Sequence, residues 1–199
     1  MQSIFGIDEA GRGPIAGPVA VGVFRLDIEN KNFKILVKKT NLKLRDSKKL
    51  SHAEREKWFE VIKKWKKEGK CDYKVTLVSA AKIDSIGIVP AIKRALSNSI
   101  YKLKISDYKI VLLDGGLKAP KEFARQKTII KGDEKEPAIA LASICAKVTR
   151  DRYMDRVSKI YPKYNFYMHK GYGTKAHYEA IYRYGITDIH RKTFLKKVL

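Results

Sequence analysis

Four carboxylates stand where chemistry could use them. Asp8-Glu9 directly follows a short apolar run, Asp114 follows Lys109-Ile110-Val111-Leu112-Leu113 ahead of Gly115-Gly116, and Asp133 follows Lys131-Gly132 just before a long helical pattern. Adjacent acids repel each other and need a cation to be held close, and hard divalent cations favour such oxygen donors. Three or four carboxylates can hold two of these ions around a phosphate, one activating water and the other stabilising the leaving oxygen. Plainer roles exist for two of the acids. Asp114 suits the start of an Asp-Gly turn, and Asp133 with Glu136 suits the capping of a helix with Pro137 in its first turn.

Charge tips the balance toward chemistry. The 199 residues hold 43 Lys plus Arg against 21 Asp plus Glu, a net charge of +22. A surface so basic has a polyanion, nucleic acid above all, as its natural partner. The alternative is a solvated Lys-rich surface suited to a hot habitat. A carboxylate cluster facing a phosphate backbone weakens binding unless metal ions reverse its sign.

Other residues near the acids carry weaker signals. Gly11-Arg12-Gly13 is a poor dinucleotide loop, because Pro14 and a Val-rich strand follow where a helix is required. Its glycines let backbone amides approach a sugar or phosphate, with Arg12 neutralising charge; they equally suit a tight turn. His169 and His177 flank Lys170-Gly171-Tyr172-Gly173-Thr174, a spacing that suits structural or phosphate-facing roles better than a metal site. Two cysteines, Cys71 and Cys145, make neither a disulfide framework nor a four-cysteine zinc site. No apolar stretch is long enough to span a bilayer, and Met1-Gln2-Ser3 does not open a signal peptide, so a cytoplasmic protein away from membranes is expected.

These residues need elements to position them. Apolar residues make up 44% of the chain, enough for a core, and the length suits one domain. Ser3 to Ile7 and Pro18 to Arg25 read as strands that pair antiparallel across a short Gly/Pro-rich turn. The basic stretch Lys31 to Lys49, with Asp46 as its one acid, reads as loop-rich. Ser51-His52-Ala53-Glu54 is a capping box opening a helix to about Lys67, with Trp58, Phe59, Ile62 and Trp65 in helical period and Gly69 beyond its end. A strand from Tyr73 to Val78, two helices (the second over about Val89 to Leu103) and the strand Lys109 to Leu113 follow. A short strand at Lys127 to Ile130, a long helix over Pro137 to Ile160 and a last helix from Thr174 to Tyr184 complete the pattern. Strands first adjacent and then separated by helices predict an α/β fold with a mixed sheet.

The motifs as a set resemble ribonuclease HII. Asp8-Glu9-Ala10-Gly11-Arg12-Gly13 with Ala16-Gly17-Pro18-Val19 is similar to that family's signature. Matches continue through Asp46-Ser47-Lys48, Leu113-Asp114-Gly115, Lys131-Gly132-Asp133, Ala142-Ser143-Ile144, Ala146-Lys147-Val148, His169-Lys170-Gly171-Tyr172 and His190-Arg191-Lys192-Thr193-Phe194. The resemblance implies a ribonuclease H-like fold, a five-stranded mixed sheet flanked by helices. It implies that Asp8, Glu9, Asp114 and Asp133 are the active-site acids and bind magnesium or manganese. The reaction implied is hydrolysis of the RNA strand of RNA–DNA hybrids and incision of duplex DNA 5′ of an embedded ribonucleotide, leaving 3′-hydroxyl and 5′-phosphate ends.

Roles also carry over by resemblance. Gly11, Arg12 and Gly13 resemble the loop that meets the ribose 2′-hydroxyl, and Tyr172 the tyrosine that stacks on the deoxyribose after the ribonucleotide. Lys48, Ser143 and Lys147 are implied phosphate contacts. The expected organisation is a monomer with one catalytic domain over 1–199 and a short C-terminal region, where many relatives carry further helices. Two other readings are weaker: a nuclease of the same fold acting on other duplexes, and a non-catalytic RNA-binding protein with structural acids.

Overall fold

Val19, Val21 and Val23 alternate along one strand with Ala20, Gly22 and Phe24, and every one of the six is buried. A strand apolar on both faces must lie inside a covered sheet. The computed structural model, which describes residues 3–27, 30–105 and 109–196, places it there. The strands are β1 (Ile4–Ala10), β2 (Val19–Leu26), β3 (Cys71–Val78), β4 (Ile110–Asp114) and β5 (Gln126–Ile129). They form one sheet in the order β3-β2-β1-β4-β5. β1–β2 and β2–β3 are antiparallel, while β1–β4 and β4–β5 are parallel. The five-stranded mixed sheet and its flanking helices are those expected.

The helices are α1 (Asn30–Lys38), α2 (His52–Lys67), α3 (Ala80–Ile86), α4 (Ile88–Lys102), α5 (Gly132–Lys135), α6 (Pro137–Ile160), α7 (Phe166–His169) and α8 (Lys175–Tyr184). On one face, Ile83 of α3 and Ile92, Ala95, Leu96 and Ile100 of α4 pack on Phe5, Ile7, Val21 and Val111. On the other, Trp58, Phe59, Ile62 and Trp65 of α2 pack with Leu141, Ile144 and Cys145 of α6 around Phe24. A satellite cluster joins Ile15, Met154, Phe166, Ile181 and Leu195. α6 lies directly against the sheet because Gly6 and Gly22 leave room: a Cβ on Gly6 would stand 2.1 Å from the Ala138 carbonyl carbon, and one on Gly22 2.4 Å from the Ala142 oxygen. Among the described residues, no helix is long and apolar enough to cross a membrane.

Two expectations need correction. The Lys31 to Lys49 stretch is not mainly loop: it contains α1 and a 3-10 turn at Ser47–Lys49. Phe33, Leu36 and Val37 share a helical face packed in the α2–α6 cluster, and Phe33 meets Trp65 edge-on with centroids 6.1 Å apart. The interspersed lysines hide this period. The first strand also outruns its apolar residues, and Asp8 and Glu9 lie within β1, paired opposite Gly22 and Val21 of β2. On the other side, parallel pairing with β4 stops at Ile7 opposite Leu113. The two acids thus continue the sheet on one side and stand beyond its parallel pairing on the other.

Candidate active site

The C-terminal ends of β1 and β4 gather the acids. Asp8 is buried and its carboxylate accepts the Glu9 N–H at 2.7 Å. Burial pushes its carboxyl well above the usual carboxylate range. The neighbouring charges of Glu9 and Asp114 push the same way, against a hydrogen bond from Ser143. Glu9 is also raised, by burial first and then by Asp114, while Arg12, 3.7 Å away, opposes the shift. Asp114 starts the Gly115-Gly116 turn, its backbone carbonyl accepting the Leu117 N–H at 3.1 Å, while its side chain accepts the Gly132 N–H at 2.7 Å and ties the end of β4 to α5. Asp133, buried in α5, is pushed up to about 6 by burial and by Asp46. The capping alternative for Asp133 does not hold, since α6 begins at Pro137 with Glu136 at its N-cap and no side-chain capping bond.

Asp46 joins this group, although the sequence reading gave it no role. It is buried, caps the 3-10 turn by accepting the Lys48 N–H at 2.8 Å, and hydrogen-bonds Asp133. Its signal was its isolation as the single acid of a basic stretch. Next to it, Ser47 shares a 2.8 Å hydrogen bond with Ser143 of α6, and Arg55 donates to the Ser47 carbonyl at 2.9 Å. Ser143 is itself buried against Asp8. Lys48 is exposed at the rim. Its partial burial opposes the charge, but Asp133, Asp8, Asp46 and Asp114 together raise its ammonium above its ordinary value.

The arrangement is electrostatically strained as it stands: carboxylates raise one another, with one lysine facing several of them. Its donors are all oxygens, as hard divalent cations require, and added positive charge would relieve the repulsion. Among the described residues no three acids, histidines or cysteines already form a closed metal-binding set. The fit therefore rests on donor type and charge.

Gly11, Arg12 and Gly13 leave β1 as a loop directly beyond the acids, with Gly11 at φ +85°. Tyr172 lies between α7 and α8, 45% exposed, with its ring 5.9 Å from the buried Arg150 guanidinium. It borders a groove of about 560 Å³ that Arg55, Lys147, Asp151 and Lys170 also line. Lys147 is held by Asp151 at 2.8 Å and lies in this groove rather than beside the acids.

His177 and His190 are buried in a structural chain. His190 Nδ1 accepts the Thr187 N–H at 2.9 Å, its Nε2 meets His177 Nε2 at 3.1 Å, and His177 Nδ1 meets the Tyr172 carbonyl at 2.8 Å. Neutral rings satisfy this chain in one direction: His190 donates to His177, and His177 donates to Tyr172. Burial pushes both rings down to about 4. Unfolded histidines protonate near pH 6.5, so these two add stability that is complete above about pH 6.5 and lost as pH falls through about 4. Imidazole NMR titrations should show both rings neutral at pH 5.5; midpoints near 6.5 in the folded protein would contradict the chain.

A model of the family described as Ribonuclease HII matches residues 5–197. The chain is 48% identical over 201 residues to Ribonuclease HII of Clostridioides difficile, an alignment covering 98% of this chain and 71% of that protein. The Archaeoglobus fulgidus RNase HII solved in complex with PCNA superposes with a TM-score of 0.72 at 26% identity, covering 94% of this chain and 93% of that one. Bst-RNase HIII in complex with Mn2+ shares the fold, with a TM-score of 0.64 at 15% identity over 97% of this chain and 64% of that one.

Proposed function

This chain belongs to the ribonuclease HII family of metal-dependent ribonuclease H enzymes, and from that premise we propose that it incises duplex DNA on the 5′ side of an embedded ribonucleotide and cleaves the RNA strand of RNA–DNA hybrids. The observation that carries this reading is the gathering of Asp8, Glu9, Asp114 and Asp133 beside the Gly11–Gly13 loop on a chain of net charge +22. Magnesium or manganese ions held by these four acids would supply the activated water and the charge stabilisation of phosphodiester hydrolysis, leaving 3′-hydroxyl and 5′-phosphate ends.

The chain's own groups do the rest. Ser143 orients Asp8, and Asp46 and Gly132 fix Asp133 and Asp114. Lys48, poised over the acids, offers its ammonium to the scissile phosphate. The Gly11-Arg12-Gly13 backbone meets the ribose 2′-hydroxyl, the group that separates RNA from DNA. Tyr172 stacks on the following deoxyribose, where an added hydroxyl would crowd its ring. Lys147 and its groove follow the backbone beyond that sugar. The enzyme acts as a monomer through one catalytic domain.

A duplex with one ribonucleotide, incubated with and without magnesium, tests the proposal. Metal-dependent incision 5′ of the ribonucleotide with a 3′-hydroxyl end is expected; equal cutting of an all-DNA duplex would overturn it. Duplex binding should also weaken steeply with salt, the slope of log affinity against log salt being roughly several units. A flat plot would mean that the basic surface faces something other than phosphates.

A further inference from the structure

Two arginines lie wholly buried behind the Gly11–Gly13 loop, and among the described residues neither has a carboxylate within ion-pair distance. Arg191 donates from Nη2 to the Gly11 carbonyl at 2.7 Å, from Nη1 to Arg12 at 3.0 Å and from Nε to Gly17 at 2.9 Å. Arg150 donates to the carbonyls of Pro18 at 2.9 Å and Ala16 at 3.2 Å, and its Nη1 is buried without a partner. Buried charge without a counter-charge is costly and ordinarily avoided. Here it is spent on five backbone carbonyls of one segment.

The consequence follows from peptide geometry. In a trans peptide the C=O of one residue and the N–H of the next point in opposite directions. Drawing the Gly11 and Arg12 carbonyls inward therefore turns the N–H groups of Arg12 and Gly13 outward. Neither N–H donates to another group among the described residues. Both point away from the two arginines, on a loop that directly follows Asp8 and Glu9.

We infer that Arg191, seconded by Arg150, is a positioning residue that aims the Arg12 and Gly13 amides at the substrate's ribose, and so sets the preference for a ribonucleotide without touching it. The inference rests on the sugar-reading role proposed above for the loop. The two are separable because one concerns whether the loop prefers ribose and the other what holds it in the shape that does. A lysine at 191 keeps the charge but can satisfy only part of the three-carbonyl set, so the loop would relax while the basic surface is unchanged.

The test is binding in an Asp8→Asn background, which prevents cleavage during titration with magnesium present. Affinities for a single-ribonucleotide duplex and an all-DNA duplex are compared with and without Arg191→Lys. The expected result is a preference for the ribonucleotide that narrows by about five- to tenfold, the scale of one lost hydrogen bond. Affinity for all-DNA duplex should change less than about twofold, since phosphate contacts remain. An unchanged preference, or equal loss on both duplexes, in a variant with a native melting transition would overturn the inference. Absence of any preference in the Asp8→Asn parent would instead overturn the sugar-reading role beneath it. If Arg191→Lys does not fold, Arg191→Gln, which keeps an amide donor without the charge, carries the same comparison. If neither folds, Arg191 is a structural residue and the inference falls.

Discussion

Asp8→Asn will abolish cleavage, by roughly a thousandfold or more, while leaving duplex binding intact or tighter. The carboxylate is buried and in electrostatic contact with both Glu9 and Asp114. Asparagine keeps the shape and can still accept the Glu9 N–H, so the end of β1 is preserved. What disappears is one anionic oxygen donor and one negative charge facing phosphate. The first removes capacity to hold a divalent cation; the second removes repulsion of the backbone. Relief of repulsion among the acids should also leave the melting temperature in chelator unchanged or raised. Near-parental cleavage by this variant would end the assignment of Asp8 to the metal-binding set.

Tyr172→Ala will lose most activity on a single embedded ribonucleotide, and Tyr172→Phe will keep most of it. A sugar or base stacked on an aromatic ring is worth roughly 1–3 kcal/mol, which is about one to two orders of magnitude in rate if realised in the transition state. The structure makes the comparison clean. The ring is largely outside the core, and the backbone is held independently, the N–H by His169 and the carbonyl by His177. The hydroxyl donates no hydrogen bond to another described residue, so phenylalanine forfeits little. Rates on a single-ribonucleotide duplex and on a uniform hybrid, with melting curves for both variants, decide the matter. A folded Tyr172→Ala that cuts the single-ribonucleotide duplex at the parental rate would remove the tyrosine from substrate recognition.

Sequence made the long helix legible, with α6 running from Pro137 to Ile160 as expected, because its proline start and apolar body are local signals. The same holds for α2, whose capping box is formed in full. Long-range choices were less visible. That β1 continues through Asp8 and Glu9 is decided by its pairing with β2, and no local pattern marks a strand that keeps one neighbour after losing the other. α1 was concealed because lysines are interspersed among its apolar residues, while Phe33, Leu36 and Val37 do its packing. The roles of Asp46 and Arg191 are not legible in the sequence motifs that contain them. Asp46 acquires its meaning from Asp133, and Arg191 from a loop 180 residues earlier in the chain, juxtapositions that exist only after folding.

On α6, Ser143, Lys147, Arg150 and Met154 follow one another at helical spacing along a single stripe. The first touches Asp8; the third lies beneath both the Gly11–Gly13 loop and the ring of Tyr172. In the proposed function, cutting and sugar recognition would therefore be mounted on one gauge, about 10 Å apart at 1.5 Å per residue, with α6 pressed against the sheet. A single residue inserted between Ser143 and Arg150 would rotate everything beyond it by about 100°, swinging Arg150 out from under the loop while Ser143 stayed at Asp8. If the proposed roles hold, the offset between the bond broken and the sugar read is a length written into helix geometry, and changes in surface loops would alter how tightly a duplex is held without altering where it is cut.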